Sequence, residues 1–71
     1  MSTKPKLHDV IALLADLEEA KLTRGQVGTV VEILSPTKML VEFSDDDGKT
    51  FAITSVATTD ALVLQYEREV A

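Results

Sequence analysis

LHDVIALLADLEEAKL, Leu7 to Leu22, can be read in two ways, and the choice decides the fold of the whole chain. Leu7, Val10, Ile11, Leu14 and Leu17 fall at helical spacing, with Gly25 following as a stop, so the local pattern favours an amphipathic helix. Val10 to Leu14 alone would also serve as a strand buried on both faces. Periodicity does not separate the two over so short an apolar run.

Working outward, the middle of the chain reads as antiparallel sheet. In Lys38 to Phe43 the residues Met39, Val41 and Phe43 alternate with Leu40 and Glu42, the period of a half-buried strand. Asp47-Gly48 supplies a turn, because glycine accepts positive φ without steric cost and aspartate tolerates it. Lys49 to Thr54 then resumes the strand pattern, with Phe51 and Ile53 continuing the inward face. Upstream, Gly25 to Leu34 is β-branched and punctuated by Gly25 and Gly28, which are read with Gly48 as turn glycines. Strict alternation fails where Val30 and Val31 are adjacent, and a bulge near the glycines would reconcile it. Ser35-Pro36-Thr37-Lys38 is a second turn. Thr58-Thr59-Asp60 marks a turn or one helical turn, after which Leu62, Leu64 and Tyr66 alternate. Residues 1–6 and 67–71 read as tails around a domain at 7–66.

The chain has 71 residues and no cysteine, so it is one small domain without disulfides, thiolate metal sites or cysteine nucleophiles. Small secreted domains usually depend on disulfides, which favours a reducing cytoplasm. Met1 to Lys6 is polar with no apolar stretch behind it, and Val10 to Ala15 is far too short to span a membrane. Twelve acidic residues against seven basic ones give a net charge of −5. The basic residues are scattered, whereas the acidic ones cluster at Asp16, Glu18 and Glu19, at Asp45 to Asp47, and at Glu67 and Glu69. Nucleic-acid binding draws its affinity from a basic stripe, which this pattern lacks.

SDDDGKT, Ser44 to Thr50, ends like a phosphate-binding loop. Such a loop needs an earlier glycine where this chain has Phe43, and a helix where Thr50 to Ile53 reads as strand. A calcium loop needs a bidentate Glu at position twelve, and counting from Asp45 that position is Val56. The stretch is a turn. His8 is the only histidine, and none of Ser2, Ser35, Ser44 or Ser55 lies in a nucleophile-elbow context. Glu32 and Glu42 lie on neighbouring strands facing outward, without the desolvation that separates an acid from a base. No catalytic, metal or cofactor-binding residue is expected, and the chain is read as a non-enzyme.

The succession His8 to Leu14, Leu22-Thr23-Arg24-Gly25-Gln26-Val27-Gly28-Thr29-Val30-Val31-Glu32, Val41-Glu42-Phe43 and Asp47 to Ala52 resembles a small bacterial family, domain-of-unknown-function family 4926. The likeness runs from about Leu7 to Leu64, and R-G-x-x-G-T-V-V-E is its most specific part. That family is similar to SH3-like barrels, in which the first segment is a strand followed by a long loop. The resemblance therefore implies a strand at Val10 to Leu14 and admits a helical turn at Leu17 to Lys21. No functional residue is carried over from it.

The expectation is an all-β, five-stranded SH3-like barrel with strands at Asp9–Ala15, Gln26–Leu34, Lys38–Ser44, Lys49–Thr54 and Leu62–Tyr66. Its closure would limit exposed sheet edges. The expected core is Val10, Leu14, Val27, Val31, Ile33, Met39, Val41, Phe43, Phe51, Ile53, Leu62 and Leu64. The expected function is a non-catalytic acidic protein-interaction module, acting as an accessory subunit or an antitoxin-like inhibitor of a basic partner. Asp16, Glu18, Glu19, Asp45, Asp46 and Asp47 would meet that partner. Arg24 to Gly28 is also similar to the opening of KOW modules, which makes nucleic-acid binding the alternative, although those bring basic loops. Self-association through an apolar patch of Leu40, Val30 and Ile11 is a further option.

Overall fold

The structure is a computed structural model that describes residues 4–64. Five strands make one antiparallel sheet: β1 (Val10–Leu13), β2 (Val27–Ser35), β3 (Lys38–Ser44), β4 (Thr50–Ala57) and β5 (Ala61–Val63). One 3₁₀ turn, Glu18–Ala20, lies between β1 and β2, and another, Thr58–Asp60, joins β4 to β5. The order across the sheet is β4-β3-β2-β1-β5. The chain is thus all-β, and Leu7 to Leu22 contains no helix beyond the first 3₁₀ turn.

Pairing on both sides explains why β1 is a strand despite its helical spacing. Ile11 stands opposite Gly28 of β2 and opposite Val63 of β5. The ladder continues past its ends, since His8 N–H donates to the Val30 carbonyl and Leu14 N–H to the Asp60 carbonyl. A strand paired and covered in this way reads as a continuous apolar run. After Leu14 the chain leaves the sheet, and Leu17 and Leu22 exchange backbone hydrogen bonds of 2.9 and 3.0 Å around the 3₁₀ turn. Lys21 closes that turn in the left-handed region, at φ 58°. Leu22 thereby swings into the core, while Leu7 and Leu14 of the expected helical face are about half exposed.

The core is Ile11, Leu13, Leu22, Val30, Met39, Val41, Phe43 and Val56, with Leu17, Ala20, Ala52, Ala61 and Val63 packed against it. Met39, Val41 and Phe43 were expected there. For β1, β2, β4 and β5 the inward face is the opposite of the one expected. A one-residue shift exchanges the two faces of a strand, and two irregularities supply such shifts. In β2 a bulge falls between Val30 and Glu32, at the Val30-Val31 pair and not at the glycines. Before it, Gly28 and Val30 take the inward places opposite Phe43 and Val41, which leaves Val27 and Val31 exposed. Beyond it, Ile33 stands opposite Met39, on the expected side, yet is 45% exposed near the end of the strand. At the start of β4, Ser44 pairs with Thr50 but Phe43 pairs with Ala52, so Phe51 is the extra residue. Ala52 takes the inward place opposite Phe43, and Phe51 and Ile53 are 51% and 55% exposed. Neither shift is needed for β1 and β5, where both faces are apolar; Val10, Leu14, Leu62 and Leu64 are simply the other phase.

Gly28 is not a turn residue. It lies buried inside β2, and a Cβ there would stand 2.7 Å from Val41 Cγ1 and 2.8 Å from the Phe43 ring. Its hydrogen is what lets the β3 side chains pack across β2. Gly25 and Gly48 do occupy turns, at φ 92° and 81°. The apolar patch expected from Leu40, Val30 and Ile11 does not exist as such, because Val30 and Ile11 are fully buried. Among the described residues the hydrogen-bonded ladder does not close: β4 and β5 are its two ends. Tyr66 and residues 67–71 lie outside the described residues.

Candidate interaction edge

β4 has no pairing strand on its outer side among the described residues. Its sequence, Thr-Phe-Ala-Ile-Thr-Ser-Val-Ala, contains no charge, proline or glycine. Edge strands usually carry such residues, which discourage pairing with another chain. The register identifies which backbone groups point outward. Thr58 N–H donates to the Thr37 carbonyl at 2.9 Å, one step beyond the Lys38–Ala57 pair. Hydrogen-bonded and non-hydrogen-bonded pairs alternate in an antiparallel ladder. Val56, Thr54 and Ala52 therefore bond to β3, and Ser55 and Ile53 turn their N–H and C=O groups to the open side. Ala57 turns its N–H there, while its carbonyl opens the Thr58–Asp60 turn.

The acidic loop runs beside this edge. An open groove of about 400 Å³ is lined on one side by Asp16 to Ala20 and on the other by Thr54 and Ser55. Leu17 and Ala20 pack on the core and hold the loop down, which leaves Glu18 and Glu19 exposed. Asp16 has a structural task as well as a charge: its Oδ1 accepts a hydrogen bond of 2.8 Å from Arg24 N–H, pinning both ends of the loop. Sequence reasoning named these three carboxylates but not Thr54 and Ser55, because their position on an end strand is a property of the topology.

Asp45, Asp46 and Asp47 form the turn that leads into β4. Asp45 Oδ1 accepts from the N–H groups of Asp47 and Lys49, both at 2.9 Å, and Gly48 N–H donates to the Asp45 carbonyl. One carboxylate thus organises the turn, as aspartate commonly does. Asp46 and Asp47 are exposed beside it. The two acidic clusters are separate, one at the start of β4 and the other alongside its middle.

The remaining candidates are dispersed. His8 is exposed at the entrance to β1 with φ 73°, held by its N–H bond of 2.7 Å to the Val30 carbonyl. Glu42 stands opposite Thr29 and Ile53, and Glu32 opposite Leu40, on the outer face of the sheet. Among the described residues no group of three or more His, Cys, Asp or Glu side chains is placed to hold a metal ion. No helix there is long and apolar enough to cross a membrane.

Residues 7–63 match the family model described as Domain of unknown function (DUF4926). Neither a curated protein nor a solved structure matches the chain.

Proposed function

The chain belongs to this family of unknown function, and we propose that it is a non-catalytic acidic module that docks on a basic protein. The observation that carries this reading is the groove between the acidic loop and the uncharged end strand β4. A net charge of −5 accelerates approach to a basic surface and opposes approach to a polyphosphate. The role is that of an accessory subunit, or of an antitoxin-like inhibitor that covers its partner, in a bacterial cytoplasm.

Affinity purification from the native host identifies the partner, which is expected to be basic. Glu18→Lys with Glu19→Lys should then slow its association by about tenfold at low salt, the lower end of electrostatic steering. An unchanged rate would mean that the loop is only solvated surface. Fluorescence anisotropy with single- and double-stranded DNA and RNA at low salt should show no binding. Micromolar affinity that weakens steeply with salt would transfer the function to nucleic acid.

A further inference from the structure

We infer that the outer edge of β4 accepts an extended basic segment of the partner as a sixth strand, with basic and apolar residues alternating along that segment. This rests on the interaction-module reading and specifies how the groove is used. Ile53 and Ser55 offer outward N–H and C=O groups and Ala57 an outward N–H, as the alternation from Thr58 and Thr37 requires; the Ala57 carbonyl serves the 3₁₀ turn that follows. Main-chain hydrogen bonds to such an edge supply affinity, and alternate side chains supply specificity. The two sides of the edge differ in chemistry. Toward the core side lie Asp16, Glu18 and Glu19 of the groove. Toward the outer side, nearest the edge, lies Ile53, which is 55% exposed, with Glu42 opposite it on β3, one strand further from the edge. Side chains of an added strand point alternately to these two sides, so one set meets carboxylates and the other meets apolar surface.

A second copy of this chain is the competing occupant, since an uncharged β4 could pair with itself. The acidic loop stands against Thr54 and Ser55, near the midpoint of Thr50–Ala57. An antiparallel β4–β4 pair centred there would bring two acidic loops together at its axis. Like charges so juxtaposed oppose that pairing, and the same charges favour a basic strand.

The test uses the full chain and three probes: a capped octapeptide of alternating lysine and valine, the same peptide N-methylated along one edge, and one with lysines and valines in separate blocks. Calorimetry should give binding by the alternating peptide that N-methylation weakens by about tenfold or more, as expected for the loss of several main-chain hydrogen bonds. The block peptide should also bind more weakly. Ser55→Pro removes an outward donor that no strand among the described residues uses and should weaken the alternating peptide to a similar extent. Amide exchange on the unmodified protein guards against misfolding of that variant: Ile53, Ser55 and Ala57 should become protected when the peptide is added. Equal binding by all three peptides, still lost in Glu18→Lys with Glu19→Lys, would overturn strand addition and leave the acidic docking surface standing. Binding by none of them would overturn both. A micromolar dimer abolished by Ser55→Pro would give the edge to a second copy and overturn the proposal.

Discussion

β1 and β4 carry the same kind of sequence and occupy opposite positions in the sheet. Both lack charge, proline and glycine, and both are rich in apolar or β-branched residues. β1 lies between β2 and β5, and its ladder is satisfied on both sides. β4 is twice as long, eight residues against four, and among the described residues it pairs on one side only. Burial within the domain accounts for the apolarity of β1. It does not account for that of β4, where Phe51 and Ile53 stay at the surface. An apolar edge without protective residues is a liability for a lone domain, and it becomes intelligible if the edge is covered in an assembly.

The sharpest way to break this comparison is to truncate one isoleucine in each strand. Ile11 is fully buried, so Ile11→Ala should destabilise by about 2–5 kcal/mol, enough to unfold much of so small a domain. Ile53→Ala should change stability by less than about 0.5 kcal/mol, because the side chain sits at the surface of the isolated chain. Urea denaturation followed by circular dichroism measures both. Comparable losses would mean that Ile53 is buried by packing this structure lacks.

Gly28→Ala comes next. The added methyl would meet Val41 and the Phe43 ring at 2.7–2.8 Å, and crowding of that kind costs about 1–3 kcal/mol. Gly48→Val tests the other kind of glycine. Nothing lies within 4 Å of its Cβ direction, so the cost comes from φ 81° alone, about 1 kcal/mol or more. The smallest effect belongs to the turn before β4. Asp45→Asn, Asp46→Asn and Asp47→Asn together should shift stability by less than about 1 kcal/mol, because an asparagine oxygen still accepts the hydrogen bonds that Asp45 accepts. A large loss, or calorimetric Ca²⁺ binding in the unmodified chain, would show that the cluster is more than a turn.

The same contrast shows how far the sequence could be read. β3 was legible to the residue, Lys38–Ser44, because Met39, Val41 and Phe43 alternate with a polar face. β1 was not legible from its own pattern, since Leu7, Val10, Ile11, Leu14 and Leu17 at helical spacing favour a helix, and Val10 to Leu14 serves as well as a doubly covered strand. The family resemblance decided it. The inward phase of β4 was lost at Phe51, a single extra residue with no marker of its own, whereas the adjacent Val30 and Val31 did mark the bulge in β2 without saying which of the two faces inward. Val56 escaped the expected core because β4 runs three residues beyond Thr54, to Ala57. Gly28 was taken for a turn because nothing local reveals a neighbouring strand's phenylalanine. At the candidate site, composition pointed to Asp16, Glu18 and Glu19 directly. That these stand beside an unpaired edge follows from the strand order, which no short stretch encodes.

Residue-resolved amide hydrogen exchange along β4 tests the central claim most directly. In the isolated chain, Ala52, Thr54 and Val56 should be protected by β3, while Ile53, Ser55 and Ala57 exchange at rates near those of open chain. On adding the co-purified basic partner, the second set should slow and the first should change little. Uniform protection in the isolated chain would contradict the account, because the edge would already be covered. So would a partner that binds tightly and leaves Ile53, Ser55 and Ala57 exchanging as before.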